Sequence, residues 1–512
     1  MSLSKFRVQI SHVGFCIAYP LALFVACNAI NIDKLAKWFR HGEQLDYSAL
    51  GAYLLAGLCL FIVVFTLLAH RLTIKPLAIL LTATSAAATY FIAKYGVAID
   101  SSMVQNTIHT DTTEVGQLLS FQMIPYVVFL LVLPVLAILA ARITFQPSAR
   151  YLVGSLKLIA IALGIALASL YAEYQAIFRA GNVSNKYIVY SLVPINVISS
   201  SVNVATKAMR PYFRTQQREI KFAARVTKPE NLVVVLAIGE SSRRKNFSLY
   251  GYTRRNTNPT LQQIEGLQLL NGVATRGSTL YALPMILEKN GIKLPTVTSR
   301  AGVPTACIVN YTMYDNCAAV GEISVQNCAH DGKCFDEDVI PLLKKNLETY
   351  SSGQRLVVLH FGGGSHGPLY LERNPPEFQR FQPMCRDADV ANKCTLEQLY
   401  NSYDNTILYV DFVLSETIRA LDASGVPYVF IYLSDHGESL LENGMMFHGV
   451  PPGVALPAEQ ADIPLIVKSS VPVTIDKRAT YGQPDVYDSV LDLLSIESPR
   501  FDRAGSFIKK AR

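Results

Sequence analysis

The 512-residue sequence predicts a multidomain chain, an N-terminal membrane domain of five helices followed by an α/β domain with a mostly parallel central sheet. Three observations carry this expectation. Half of the residues are apolar and only 17% are charged, too greasy a balance for a purely soluble protein, and the excess is concentrated before residue 173. From residue 229 onward, short unbroken apolar runs alternate with helical stretches, the pattern of a parallel sheet covered on both faces. Three of those runs end in side chains that hold metals or carry protons.

The first part offers apolar stretches at roughly 9–28, 48–69, 77–93, 121–141 and 151–172, each close to the ~20 residues that cross a bilayer. The first is too long, and too poor in a cleavage signal, for a removed signal peptide. Buried core helices are the weaker reading for five such stretches in succession. Orientation follows from the basic residues. Lys5 and Arg7 in the tail, Arg71 and Lys75 after the second span, and Arg142 and Arg150 after the fourth have no acidic companion. The other two connections carry Asp33, Glu43, Asp46, Asp100, Asp111 and Glu114, although Lys34, Lys37 and Arg40 dilute the first. The expectation is a membrane domain over 1–173 with a cytoplasmic N-terminus, and everything later on the outer side. Lys157, near the cytoplasmic end of the fifth span, is expected to snorkel.

A segment of mixed character, 174–228, follows as a bridging linker. Tyr187, Tyr190, Val193, Ile195, Val197 and Ile198 suit an amphipathic helix lying along the interface. Lys207, Arg210, Arg214, Arg218, Lys221 and Arg225 suit anionic headgroups, and a solvated linker helix fits equally well. The catalytic domain is then expected over 229–512, with buried strands at 232–238, 356–361 and 426–433 and a helix at 396–421.

Cysteine usage agrees with an outer location. Cys16, Cys27 and Cys59 lie in the apolar spans, where a thiol is a small apolar group. Cys307, Cys317, Cys328, Cys334, Cys385 and Cys394 fall in the outer domain as closely spaced couples. In an oxidising compartment such couples read as disulfides. The pairing 307–317, 328–334 and 385–394 is preferred among the possible ones. Zinc ligation is the rival, although no couple has CxxC spacing. In a Gram-negative bacterium the compartment would be the periplasm.

The chemistry gathers at the strand ends. Asp435 and His436 follow one run with only Ser434 between, Glu240 follows another after Gly239, and Ser365 and His366 follow a third after a glycine turn. Ligands bind beyond the carboxyl ends of parallel strands, and a carboxylate beside an imidazole suits zinc. Each residue alone has a bland reading. Glu240 could be a helix N-terminal carboxylate, Ser278 and Thr279 helix caps, and His366 and His448 surface turn residues. Their joint delivery to one edge favours a site. No P-loop or dinucleotide fingerprint occurs, and the net charge of +7 suits anionic lipids or phosphorylated saccharides rather than nucleic acid.

Seven stretches then carry a resemblance: GESSRRKNFSLYGYTRRNTNP (239–259), STLYALP (278–284), CFDEDVIPLL (334–343), LVVLHFGGGSHGPLY (356–370), PPEFQRFQPMC (375–385), NSYDNTILYVDFVL (401–414) and LSDHGESLLENGMMFHG (433–449). In this order, after five spans, they resemble the bacterial phosphoethanolamine transferases of the alkaline phosphatase superfamily, which include lipid A-modifying and mobile colistin-resistance enzymes. The resemblance implies an alkaline phosphatase/sulfatase-like domain and a zinc site of Glu240, Thr279, Asp435 and His436. It makes Thr279, five residues before Pro284, the nucleophile, and sets His366 and His448 by the donor phosphate or a second zinc. Zinc would lower the pKa of the bound hydroxyl, and a histidine would protonate the departing alkoxide. The implied reaction is ping-pong. Thr279 attacks phosphatidylethanolamine, diacylglycerol leaves, and lipid A or another envelope lipid or glycan accepts the group. A monomer in the bacterial inner membrane, with its catalytic domain in the periplasm and a part in polymyxin resistance, goes with the family.

The sequence departs from the family around the nucleophile. The cysteine pair that commonly brackets it is replaced by Thr275 and Met285, which argues for a different local brace. Segment 285–333 aligns poorly, and Ser278 adjoins Thr279 as an alternative nucleophile. A phosphoglycerol transferase would use a similar metal and threonine. A sulfatase would need a C/S-x-P-x-R motif, which is missing at 275–284. A non-catalytic membrane sensor would be expected to have lost a zinc ligand, and none is lost.

Overall fold

The computed structural model describes all residues except 1–8, 42–43, 110–120, 184–186, 214–221, 311, 327, 329–332, 388–389, 451–453 and 512. Lys5, Arg7, Glu43, Asp111, Glu114, Arg214, Arg218 and Lys221, and the side chains of Tyr187, Lys207 and Arg210, therefore lie outside the described residues. The chain divides into two compact units, the break falling after Phe213.

The first unit holds five helices long and apolar enough to cross a membrane: α1 His12–Ile30, α2 Tyr47–Leu68, α3 Ile74–Tyr95, α4 Met123–Ala140 and α5 Ser148–Ala172. Local chemistry sets several of their ends. Ser11 caps α1 by accepting the Gly14 N–H at 3.1 Å, and Asp46 caps α2 by accepting the Ala49 N–H at 3.0 Å. Helix α3 stops at Gly96 in the left-handed region, where glycine carries no Cβ penalty. Small residues, Ala56 and Cys59 on α2 and Ala162 and Ala166 on α5, let those two helices meet closely. Leu133, Leu136 and Leu139 of α4 and Leu156 and Leu167 of α5 stay exposed, as side chains that face lipid would. Two helices of the segment that follows, α6 Tyr174–Val183 and α7 Ile195–Phe213, also belong to this unit. The segment read as a linker thus supplies two helices to the first unit. Asn28 of α1 accepts the Val193 N–H at 3.1 Å and donates to the Val193 carbonyl at 2.6 Å, tying α1 to the turn before α7.

The second unit is an α/β domain. Its central sheet comprises β1 Leu232–Gly239, β2 Gln268–Val273, β3 Thr305–Val309, β4 Glu322–Ser324, β5 Gln354–Phe361, β6 Tyr428–Ser434, β7 Asp462–Ser469 and β8 Tyr481–Gly482. The spatial order is β4-β3-β5-β1-β6-β7-β2-β8. All pairings are parallel except those of β7, which runs against both β6 and β2. Strand β1 lies at the middle and is buried on both faces. Val234, Leu236 and Ile238 face one layer, with Leu283 and Ile286 of helix α8 (Thr279–Leu287) and Val486 and Val490 of a C-terminal helix. Val233, Val235 and Ala237 face the other. There they meet Val339 and Leu343 of α9 (Val339–Glu348) and Tyr403, Ile407, Val410, Leu414 and Ile418 of α10 (Leu396–Ser424). The spacing of those α10 residues is the helical period, so one stripe covers the sheet. Each fully buried side chain of this kind contributes roughly 1.5–3 kcal/mol. Helix α10 begins in a capping box at Thr395 and Gln398 and ends at Gly425 in the left-handed region.

Disulfides join Cys307 to Cys317, Cys328 to Cys334 and Cys385 to Cys394. Cys16, Cys27 and Cys59 are buried free thiols.

Candidate active site

Between β5 and β6 the chain crosses from one side of β1 to the other, and the three strands run parallel. The register sets the ends of all three level, Gly239 opposite both Phe361 and Ser434. A crevice at such a switch point is where an open α/β sheet receives ligands. Glu240, the residue after β1, is buried, and its neighbour Ser241 sits at φ 55°. That left-handed conformation costs a serine ~1–3 kcal/mol. It is held by the Asp435 carboxylate, whose Oδ1 accepts the Ser241 N–H at 3.0 Å, and by Tyr403, whose hydroxyl donates to the Ser241 carbonyl at 2.8 Å.

The turn after β5 closes onto the same point. The fully buried Asp336 accepts the N–H groups of Gly363 and Gly364, both at 2.9 Å, and burial raises its pKa. Ser365 N–H donates to the Glu240 carbonyl at 3.0 Å. Gly364 has φ +26°, and a Cβ there would lie 2.4 Å from the Glu240 carbonyl oxygen. Gly364→Ala is therefore expected to cost about 1–3 kcal/mol and to displace Glu240, measured as a lowered unfolding midpoint.

Four groups converge at the centre. Thr279, first residue of α8, donates its hydroxyl to Glu240 Oε2 at 2.9 Å, and its Oγ1 lies 3.5 Å from His436 Nε2. His436 Nε2 stands 3.2 Å from Asp435 Oδ2 and 3.6 Å from Glu240 Oε1. One donor atom from each of Glu240, Asp435 and His436 lies within 4.8 Å of the others. The His436 Nδ1–H donates to the Gly437 carbonyl at 3.0 Å, which leaves the Nε2 lone pair facing the carboxylates. Asp435 Oδ2 is buried without a hydrogen-bond partner among the described residues. Two carboxylates, an imidazole lone pair and a hydroxyl oxygen, all shut off from water, form an acceptor cluster that a cation satisfies. The residues fit a metal.

A histidine pair flanks this cluster. The His448 ring lies 4.3 Å from the His436 ring and 4.7 Å from the His366 ring, centroid to centroid. His448 Nδ1 donates to Glu438 Oε2 at 2.7 Å. Burial would lower the His448 pKa, but the Glu438 carboxylate outweighs it and pushes it up to about 9. Burial, with His448 and Arg373 close by, holds His366 well below the ordinary histidine value. Glu438 Oε1 also accepts from the Tyr370 hydroxyl at 3.1 Å and the Gly367 N–H at 3.2 Å.

The structure thus brings Glu240, Thr279, Asp435, His436, His366 and His448 together, while the disulfide cysteines lie apart from this cluster. Sequence reasoning missed Glu438, although it directly follows Asp435-His436-Gly437 in a quoted motif. It also missed Arg243, which is fully buried. Its guanidinium reaches Glu442 Oε1 at 2.6 Å and the Glu438 carbonyl at 3.2 Å, and packs against the rings of Tyr400 and Tyr403. Nothing in the spacing of ESSRR distinguishes it from the half-buried Arg244 that follows.

Comparison with known proteins agrees with this architecture. Residues 57–209 match the family model Phosphoethanolamine transferase EptA/EptB, and residues 232–496 match the Sulfatase model. Phosphoethanolamine transferase EptA of Escherichia coli (strain K12) is 30% identical over 499 residues, 88% of each chain. The chain belongs to the phosphoethanolamine transferase EptA/EptB family. Phosphatidylethanolamine transferase Mcr-1 of Escherichia coli is 28% identical over 90% of both chains. The fold is that of the integral membrane protein lipooligosaccharide phosphoethanolamine transferase A (EptA) from Neisseria meningitidis. That structure has a TM-score of 0.82 at 24% identity, over 95% of this chain and 97% of that one. Membership in this family accounts for an apolar helical unit followed by a sulfatase-like α/β domain with its polar cluster at the sheet's switch point.

Proposed function

We propose that the protein is a zinc-dependent membrane transferase. It moves phosphoethanolamine from phosphatidylethanolamine to lipid A, or to another lipid or glycan of the cell envelope, through a phosphothreonine intermediate. The observation that carries this reading is the convergence of Glu240, Asp435, His436 and the Thr279 hydroxyl on one buried point. The names of its relatives, phosphoethanolamine transferase EptA and phosphatidylethanolamine transferase Mcr-1, support the transferred group and its donor. Residues 1–173 would form the membrane domain with a cytoplasmic N-terminus, and 174–228 would bridge to a periplasmic catalytic domain over 229–512. The protein would work in the inner membrane as a monomer, and lipid A modification would lend polymyxin resistance.

Glu240, Asp435, His436 and Thr279 would hold the ion, which when bound supplies Lewis acidity at the threonine oxygen and the donor phosphate. The rest of the chemistry belongs to side chains. The Thr279 proton points at Glu240 Oε2, which leaves the oxygen lone pairs free to bond to phosphorus. Thr279 Oγ1 passes its proton to Glu240 Oε2 and bonds to phosphorus as the bond to the diacylglycerol oxygen breaks, and His448, protonated beside Glu438, gives that oxygen its proton. In the second half an acceptor hydroxyl gives its proton to the now neutral His448 and bonds to phosphorus, the Thr279 bond breaks, and Thr279 takes back the proton held by Glu240. His448 stands beside the His436 ring and His366 beside His448, and both would lie next to the phosphoryl oxygens.

The test is mass spectrometry of the purified protein incubated with zinc and phosphatidylethanolamine, with no acceptor. A phosphoethanolamine adduct on Thr279 with released diacylglycerol is expected. An adduct formed only from phosphatidylglycerol would overturn the donor. Glu438→Gln tests the histidine pair. It removes the charge facing His448 Nδ1, and a 10- to 100-fold loss of transfer is expected at roughly unchanged zinc content. Equal loss of zinc would place Glu438 among the metal-holding groups instead.

A further inference from the structure

The Thr279 turn and the Asp435–His436 turn leave the sheet from strands that are not neighbours. Strand β2 ends at Val273 and β6 at Ser434, and β7 runs between them in the opposite sense, pairing Asp462 with Val273 and Leu465 with Leu433. No ladder hydrogen bond can span from one turn to the other. A side chain does. Gln483 is the first residue of helix α11 (Gln483–Leu493) and is 1% exposed. Its Oε1 accepts the backbone N–H of Thr275 at 3.1 Å, and its Nε2 donates to the backbone carbonyl of Asp435. The two partners dictate which end of the amide is which, because an N–H needs an acceptor and a carbonyl needs a donor.

The amide is itself firmly held. Tyr481 and Gly482, just before it, pair with Gly272 and Val273 at the end of β2. The Gly482 N–H donates to Asp485 Oδ2 at 2.9 Å, which fixes the start of α11. Gln483 therefore works from the end of a helix docked beside the strand that feeds the Thr279 turn.

We propose that Gln483 is a positioning residue that sets the separation between the Thr279 nucleophile and the Asp435–His436 metal ligands. The roles of those two groups rest on the functional reading above. Gln483 is bonded to neither reacting oxygen. It acts on Thr279 through the turn 275–278 and on the Asp435 carboxylate through that residue's own backbone. Thr275 is also one of the two positions whose missing cysteine called for another brace. Few side chains can replace the amide: a carboxylate has no donor, methionine offers neither bond, and asparagine is one methylene short.

The test uses the full-length protein in detergent, with zinc and phosphatidylethanolamine as probes. Gln483→Met is expected to lower kcat and zinc affinity each about 10- to 100-fold, with KM for phosphatidylethanolamine unchanged. Amide hydrogen exchange at Thr275 in the zinc-free protein is expected to rise about 10-fold or more. Gln483→Glu keeps the acceptor and loses the donor, so Thr275 stays protected while zinc affinity still falls. It also carries the test should the methionine variant not fold. A lowered melting temperature with wild-type kcat and zinc affinity in both variants would show an ordinary structural contact and overturn the proposal. If the wild-type protein binds no zinc and transfers nothing, the functional reading fails, and exchange judges the brace alone. Protection of Thr275 lost in Gln483→Met keeps the brace, and protection retained overturns it.

Discussion

Thr279→Ala is expected to leave a folded protein that forms no phosphoethanolamine adduct, releases no diacylglycerol and transfers more slowly by several orders of magnitude. Thr279 is buried, but the truncation takes away only a methyl and a hydroxyl and leaves a small gap, so the main loss is chemical. Its hydroxyl is the one bonded to Glu240 Oε2 and aimed past His436 Nε2. Ser278 stands one residue earlier in extended backbone, φ −156° and ψ 134°, at the N-cap position of α8. Ser278→Ala is accordingly expected to keep the adduct. Thr279→Ser should retain part of the activity, because the oxygen remains and only the rotamer-fixing methyl is lost. An adduct that persists in Thr279→Ala and maps to Ser278 would move the nucleophile by one residue.

Asp435→Asn is expected to abolish zinc binding without unfolding the protein. The amide oxygen can keep the two backbone donors that Oδ1 now accepts, Ser241 N–H at 3.0 Å and His436 N–H at 2.7 Å. The amide nitrogen would replace Oδ2 and present hydrogens to His436 Nε2, 3.2 Å from that position. The swap removes one negative charge from a buried acceptor cluster, so the zinc-free variant should melt at or above the zinc-free wild type. Zinc at a hundred times its dissociation constant should stabilise the wild type by about 2.7 kcal/mol and the variant by almost nothing. Calorimetric melting with and without zinc, with metal analysis of the purified proteins, reads both effects. Equal stabilisation of the two proteins would remove Asp435 from the metal site.

Hydropathy alone located five spans whose centres match helices α1 to α5, because a segment long and apolar enough to cross a bilayer is a property of the segment itself. The runs around Val234, Val358 and Ile431 were legible as strands for the same local reason. Strand β7 was not, since Pro464 interrupts its pattern and its antiparallel insertion between β6 and β2 depends on distant partners. The segment 174–228 reads as a helical linker and two helices form within it, but only the fold ties the turn between them to α1 through the bonds of Asn28 with Val193. Family motifs named Glu240, Thr279, Asp435, His436, His366 and His448. Only the fold joins Glu438 to His448, Arg243 to Glu442, and Gln483 to both Thr275 and Asp435. Residue type and local period are written along the chain, whereas a hydrogen bond across the end of a sheet depends on the direction of two side chains far apart in sequence. That direction exists only once the strands are stacked.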